Sequence, residues 1–278
     1  MTGQLTTGLT AEPPLQLPQW DGFYRRWQRL VPPLRPDAGV CARMRALIAP
    51  ADGTVLVLGA TPELTTVAAS TVAIDWSPSS LAVIWPGHAP GRRAVRADWL
   101  QLPCADGVFI AALGDGSLNC LEYPAGYERL FRTLVRAVRP GGRIVLRVFV
   151  SPEPCESMAQ TRVAATAGSI RTVGALKWRM AHLVAGEQRD PNVPAPSIVD
   201  AFNRCFPDRA ALRRATGWSD DDLAEIDALA HVPGGFSFPS ARQLADSLPA
   251  GLDRASLRES GIYELAERCP LLVVDVPR

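Results

Sequence analysis

The sequence predicts an α/β fold: a parallel, doubly wound sheet covered by helices on both faces, with a block of helices inserted late in the chain. Three observations carry this expectation. Short apolar runs at residues 54–59, 71–75, 107–113 and 143–150 alternate with helical patterns, the mark of right-handed βαβ units. The alternation stops after Ser151-Pro-Glu-Pro154, and the pattern is then helical to about residue 230. It resumes in the tail, which ends on the apolar run 270–276.

Taken in order, residues 1–19 are rich in Thr, Gly, Pro and Leu without periodicity and are expected to form a flexible tail. Trp20, Phe23, Tyr24, Trp27 and Leu30 recur at three- and four-residue intervals, one face of an amphipathic helix that 31–36, with its three prolines, brings to an end. A second helix is expected over 40–48, and Asp52-Gly53 turns the chain into the first strand, 54–59, which is apolar on both faces. Thr61 stands as an N-cap and Pro62 at the first position of a short helix reaching about residue 69. Strand 71–75, helix 77–84, a short strand over 93–96, strand 107–113 and helix 124–138 follow. The last of these is stopped by Arg139-Pro-Gly-Gly142 ahead of strand 143–150. In the inserted block, helices are expected over 160–185, 197–205, 209–216 and 220–230, and in the tail over 240–248. The organisation is therefore tail 1–19, N-terminal helical lid 20–50, core 51–154, insertion 155–235 and returning core 236–278.

With 278 residues, 47% of them hydrophobic, the chain can bury one large core. Its net charge is +1 from 29 basic and 28 acidic residues, so no global field recruits nucleic acid or anionic membrane and a small substrate is favoured. The six cysteines form no C-x-x-C pair and no zinc-type spacing, which suits reduced thiols in a cytosolic protein and predicts no metal site. No signal-peptide pattern opens the chain, and no run of about 18 apolar residues would span a membrane.

In a sheet of this kind ligands bind beyond the carboxyl ends of the central strands, so the residues just after each strand are the candidates. Gly59-Ala60-Thr61-Pro62-Glu63 follows the first strand: the glycine permits a tight turn beside a ligand, and a helix N-terminus comes next. Asp75 and Trp76 follow the second, where a carboxylate can accept from both ribose hydroxyls and an indole can face adenine. Asp98 and Trp99 follow the third, Asp98 being suited to the adenine amine or simply to starting a turn. Gly114, Asp115 and Ser117 follow the fourth, in a polar turn where a methyl donor and its acceptor could meet.

The order of these segments resembles that of the class I S-adenosylmethionine-dependent methyltransferases, over residues 54–150 and, less strongly, the C-terminal segment. Val-Leu-Val-Leu-Gly-Ala is similar to the family's first motif, Val-Ala-Ile-Asp to its second and Ala-Asp-Trp to its acidic adenine-side motif, while Arg-Pro-Gly-Gly resembles the turn into the fifth strand. The resemblance implies a Rossmann-like sheet of seven strands with the last antiparallel, S-adenosylmethionine as cofactor, and direct methyl transfer. Only Gly59 survives of the family's glycine-rich first motif. That departure weighs more heavily against a dinucleotide, because Glu63 in the first helical turn would repel a pyrophosphate but suits an ammonium or sulfonium.

From the lid, Tyr24 and Arg35 are expected to reach the methionine carboxylate, Arg35 as a bidentate fork. No base is fixed by the sequence. Asp115, His182 and His231 are the candidates, the two histidines because they lie in the insertion expected to wall the acceptor pocket. Trp178, Met180, Phe202, Phe206 and Trp218 supply that block with large apolar surface. The alternatives are an NAD(P)-dependent oxidoreductase and an S-adenosylmethionine-binding protein that transfers no methyl group. The acceptor and the oligomeric state are open.

Overall fold

The computed structural model describes residues 19–48, 52–252 and 255–278, so the tail expected over 1–18 lies outside the described residues. Its centre is a seven-stranded sheet built from β1 (Val55–Leu58), β2 (Thr71–Asp75), β3 (Arg92–Arg96), β4 (Phe109–Asp115), β5 (Val138–Arg147), β8 (Ser256–Arg258) and β9 (Leu271–Asp275). Two further short strands, β6 (Asn192–Pro194) and β7 (Gly235–Ser237), pair antiparallel outside it. The order is β3-β2-β1-β4-β5-β9-β8. β1 to β5 run parallel, and β9 is antiparallel to both of its neighbours, as the resemblance implied. Chain order reverses between β1 and β4, which opens a crevice at their carboxyl ends.

Alternation along β1 explains the two layers. Leu56 and Leu58 pack with Leu130, Phe131 and Leu134 of α4 (Ala125–Ala137), while Val55 and Val57 pack with Val40 and Met44 of α2 (Ala38–Ile48) on the other face. The four β1 side chains are at most 1% exposed, each contributing roughly 1.5–3 kcal/mol of burial.

The helical block holds α5 (Met158–Thr166), α6 (Val173–Gln188), α7 (Ala195–Cys205), α8 (Arg209–Thr216) and α9 (Asp220–Asp227), followed by a 3-10 turn at Ala228–His231. It shares one hydrophobic core with Trp27, Leu30 and Leu34 from the N-terminal segment, where α1 (Gln19–Arg25) precedes a 3-10 turn at Trp27–Arg29. The stretch read as a single lid, 20–50, thus divides: its first half packs with the insertion and α2 packs on the sheet. The remaining helices are α3 (Pro78–Val83), which contacts α1, and α10 (Ala241–Asp246).

Four local expectations need correction. The short helix over 62–69 is only a 3-10 turn, Pro62–Thr66, and Thr61 makes no side-chain cap bond. The reason is chemical: the hydroxyls of Thr65 and Thr66 bond back to the carbonyls of Pro62 and Glu63, and three consecutive β-branched residues disfavour a further turn. The helix over 160–185 is two, broken where Gly168 takes φ +72° and Thr172 caps α6. Arg139 to Gly142 does not separate α4 from β5 as a free turn. It forms a bulge in β5, whose register against β4 jumps from Phe109↔Val138 to Ala111↔Arg143. Finally, β8 was not foreseen, because Ser-Leu-Arg carries no apolar run.

Candidate active site

A cavity of about 350 Å³ opens at the carboxyl ends of β1, β2 and β4 and runs beneath the N-terminal segment and the helical block. Gly59 begins it. Its φ of +97° is open to glycine alone without strain, and its N–H donates to Ile74 O at 2.8 Å. A Cβ placed there would meet nothing nearer than 3.8 Å, facing Thr61, the Trp99 ring and Asp75, so the absent side chain leaves a cradle on the cavity wall. Trp99 is held by its indole N–H on Ile74 O at 2.6 Å.

Asp75 ends β2 and is 5% exposed. Its Oδ2 accepts from Ala60 N at 3.1 Å and its Oδ1 from Ser77 N at 2.8 Å, which binds the first and second strand-end loops to one carboxylate. Burial raises its pKa, and the donors at Ser77, Ser80 and Ala60 hold part of that rise back. Tyr24 lies over it. Burial and the Asp75 charge push the Tyr24 phenol up, against side-chain hydrogen bonds with Ser80 and Ser77. Thr61, Trp76, Asp98 and Trp99 line the same end of the cavity. Asp98 also accepts from Leu100 N at 2.8 Å, and so starts the following 3-10 turn.

Several expected residues stand elsewhere. Arg35 does not line the cavity, because its Nε pairs with Glu63 Oε1 at 2.6 Å and its Nη1 donates to Trp27 O at 3.1 Å. Glu63 also accepts from the Trp27 indole at 3.2 Å, so Arg35 and Glu63 fasten the N-terminal segment to the turn after β1. Glu63 does not line the cavity either, although its Oε2 is buried without a hydrogen-bond partner among the described residues. Gly114 is sealed inside β4, where a Cβ would stand 2.3 Å from Ser117 Oγ and 2.9 Å from Leu146 Cδ2.

Asp115 borders the cavity, yet both of its oxygens accept from the fully buried Arg147 guanidinium, whose Nη2 lies 3.0 Å from Oδ2. Burial raises the pKa of the Asp115 carboxyl, and the Arg147 guanidinium, which keeps its proton, opposes that rise. With both oxygens accepting from the guanidinium, Asp115 is not placed to take a proton. Arg147 also donates to Pro33 O at 2.8 Å. Breaking such a buried pair costs roughly 3–5 kcal/mol, which makes Asp115 an anchor of the fold.

His182 is 2% exposed and lies outside the cavity. Burial first, then the Arg268 and Arg179 charges, push its pKa down to about 3. His231 is exposed and does not line the cavity either.

Sequence reasoning missed Lys177, Glu225, Phe149, Asn119 and Phe236, all of which line the cavity. Of the five large apolar residues expected to wall the pocket only Trp178 reaches it, while Met180, Phe202 and Phe206 lie in the shared core with Trp218 packed against it. A signal for Lys177 was present: it is the single lysine among 29 Lys and Arg residues.

No family model matches the chain. It is 33% identical over 204 residues to a demethylmenaquinone methyltransferase from Mycolicibacterium vanbaalenii, spanning 72% of this chain and 76% of that relative. The chain belongs to the class I S-adenosylmethionine-dependent methyltransferases. Solved structures agree on the fold alone. A Nostoc punctiforme protein assigned as an O-methyltransferase matches with TM-score 0.53 and 13% identity, over 97% of this chain and 63% of that one. A Rhodobacter sphaeroides protein assigned as a Zn-dependent alcohol dehydrogenase matches with TM-score 0.54 and 16% identity, over 88% and 92%.

S-adenosylmethionine is the cofactor of this methyltransferase, and the cavity suits it. The Gly59 cradle admits a ligand against the backbone, Asp75 offers a buried carboxylate, two indoles stand nearby, and Ser117 Oγ is buried without a protein partner. Among the described residues no cluster of His, Cys, Asp and Glu could hold a metal ion, and no helix is long and apolar enough to cross a membrane.

Proposed function

We propose that this methyltransferase acts on a small, largely apolar aromatic acceptor held under the helical block. The observation that carries the reading is the continuity of the cavity. One end is the strand-end cradle, and the other is walled by Phe149, Trp178, Leu229 and Phe236. In this reading Asp75 accepts from the ribose hydroxyls, Trp76 and Trp99 flank adenine, Asp98 faces its amine through the oxygen left free, and Tyr24 covers the cofactor. Ala60, Thr61 and Ser117 complete that end. The bound cofactor supplies an electrophilic methyl group. The chain's own residues hold it, exclude water and present the acceptor in line.

A demethylmenaquinone-type ring is the first acceptor to try, because the Mycolicibacterium relative is named for it and the inner wall is aromatic. A nucleic-acid acceptor is disfavoured, since the arginines of α7 and α8 are paired with Glu187, Asp227, Asp220 and Asp208. The six cysteines are all unpaired, which supports a cytosolic setting.

The test is incubation with methyl-labelled cofactor and demethylmenaquinone, in oxidised and reduced form, beside a panel of smaller aromatic hydroxyl compounds. Label in an extracted aromatic product is expected. A folded protein that binds the cofactor yet labels none of them would sink the reading.

A further inference from the structure

We propose that Lys177 is a catalytic residue which takes the proton of an acidic, phenol-type hydroxyl on the methyl acceptor. The proposal rests on the methyl-transfer reading above and concerns the aromatic hydroxyl members of its acceptor panel, not a quinone ring, which carries no hydroxyl and takes a methyl group on carbon.

Position comes first. Lys177 sits in the first half of α6, is 5% exposed, and lines the cavity on the acceptor side together with Trp178 and Glu225. Its Nζ lies 5.2 Å from the Trp178 ring centroid, and no hydrogen bond from it to a described residue is present. Three of the cavity's other ionisable groups are engaged. Asp75 accepts two backbone N–H groups, Asp115 is paired with Arg147, and Tyr24 is bonded to Ser77 and Ser80.

Chemistry then separates Lys177 from Glu225. Burial lowers the hold of Lys177 on its proton, Glu225 on α9 opposes that, and Arg26 just beyond α1 adds to it, leaving a pKa of about 8. Glu225 is itself raised by burial and Asp222 and lowered by Lys177 and Arg26. A phenol ordinarily loses its proton near pH 10, so transfer to an ordinary carboxylate runs roughly six powers of ten uphill, a gap that the raised pKa of Glu225 narrows, and to an amine near 8 only about two. A site built for a permanent anion would favour a cation that keeps its charge, as any of the chain's arginines would. Here burial weakens the amine's hold on its proton, so near pH 8 a neutral fraction is present to take a proton from the acceptor.

The step balances. The acceptor O–H proton passes to Lys177 Nζ, the oxygen lone pair bonds to the methyl carbon, and the C–S electron pair stays on sulfur. The products are a methyl ether, a neutral thioether and an ammonium that returns its proton to water. Glu225 steadies that ammonium.

Because Lys177 is the single lysine in the chain, protein labelled with 13C at lysine Cε shows one side-chain signal to titrate. The expected midpoint is about 8, against the ordinary value of about 10.4. With S-adenosylhomocysteine present at about pH 8, where half of the Lys177 amine is neutral, 2-naphthol should move this signal toward its ammonium position while a fraction of its own absorption shifts to the naphtholate. The protonless 2-methoxynaphthalene should do neither. K177M should weaken 2-naphthol binding roughly tenfold and abolish the naphtholate band, with S-adenosylhomocysteine affinity unchanged. K177R should keep the binding and lose its pH inflection. A lysine midpoint in the ordinary range, no binding of 2-naphthol, or the same naphthol titration in wild type and K177M overturns the proposal. If K177M does not fold, the wild-type titration decides. Failure of wild type to bind S-adenosylhomocysteine would instead strike the methyl-transfer reading.

Discussion

Asp75 serves two ends at once, since its oxygens hold Ala60 N and Ser77 N while the carboxylate borders the cavity. A substitution therefore tests the loops as well as the ligand. Asp75→Ala should weaken S-adenosylmethionine binding at least roughly tenfold, the cost of losing hydrogen bonds to a charged acceptor. Asp75→Asn keeps one acceptor oxygen but turns a donor NH2 onto the other backbone N–H, so it should lose affinity and lower the melting temperature less than Asp75→Ala does. Calorimetric titration of both decides, and unchanged affinity in folded Asp75→Ala removes Asp75 from the site. That Gly59, Asp75, Asp98, Trp99 and Ser117 would line one crevice was legible because strand ends follow from short apolar runs, and the crevice follows from the strand ends. Arg35 was misread for a different reason. Its partner Glu63 lies 28 positions away, and nothing local in a sequence shows which distant carboxylate a guanidinium will meet.

At the scale of elements, α6 explains why the acceptor side was hard to read. Twelve of its sixteen residues are buried, so its pattern carries no polar face from which an inward lysine could be picked out. The segment 62–66 was misjudged because Thr hydroxyls competed for the carbonyls a longer helix needs, a tendency visible in composition but outweighed by the Pro62 signal. α6 also holds the N-terminal segment in place. Gly174 lies so close to Leu34 that an added Cβ would stand 2.9 Å from Leu34 Cγ. Gly174→Ala should push Leu34 and the segment outward, costing roughly 1–3 kcal/mol of packing. The expected result is cofactor affinity reduced severalfold and faster proteolysis near residue 30, with the sheet intact by circular dichroism. Unchanged affinity and proteolysis would show that Leu34 is free to give way.

At the scale of the molecule, the sheet and its two helical layers close two cores, whereas the N-terminal segment and the inserted block close a third between them. Trp27, Leu30 and Leu34 sit in that third core with α6, α7 and the turn after α9. Arg35 to Glu63 and Arg147 to Pro33 O tie it to the sheet at two points. A ligand seated in the cavity under the cap should therefore stabilise the cap as one unit, because its opening breaks a shared core and not separate contacts. Hydrogen exchange with saturating S-adenosylhomocysteine should slow in 19–35, 173–188 and 220–232 by a common factor, together with the strand-end loops. The sheet centre, already closed, should change little. Residues 27–34 supply aromatic and aliphatic anchors to the block, so local opening of either part would leave these side chains exposed. Protection confined to the loops after β1, β2 and β4, with 19–35 and 173–188 exchanging as before, would show that the cap opens independently of the cofactor and that its shared core does not couple the two halves of the cavity.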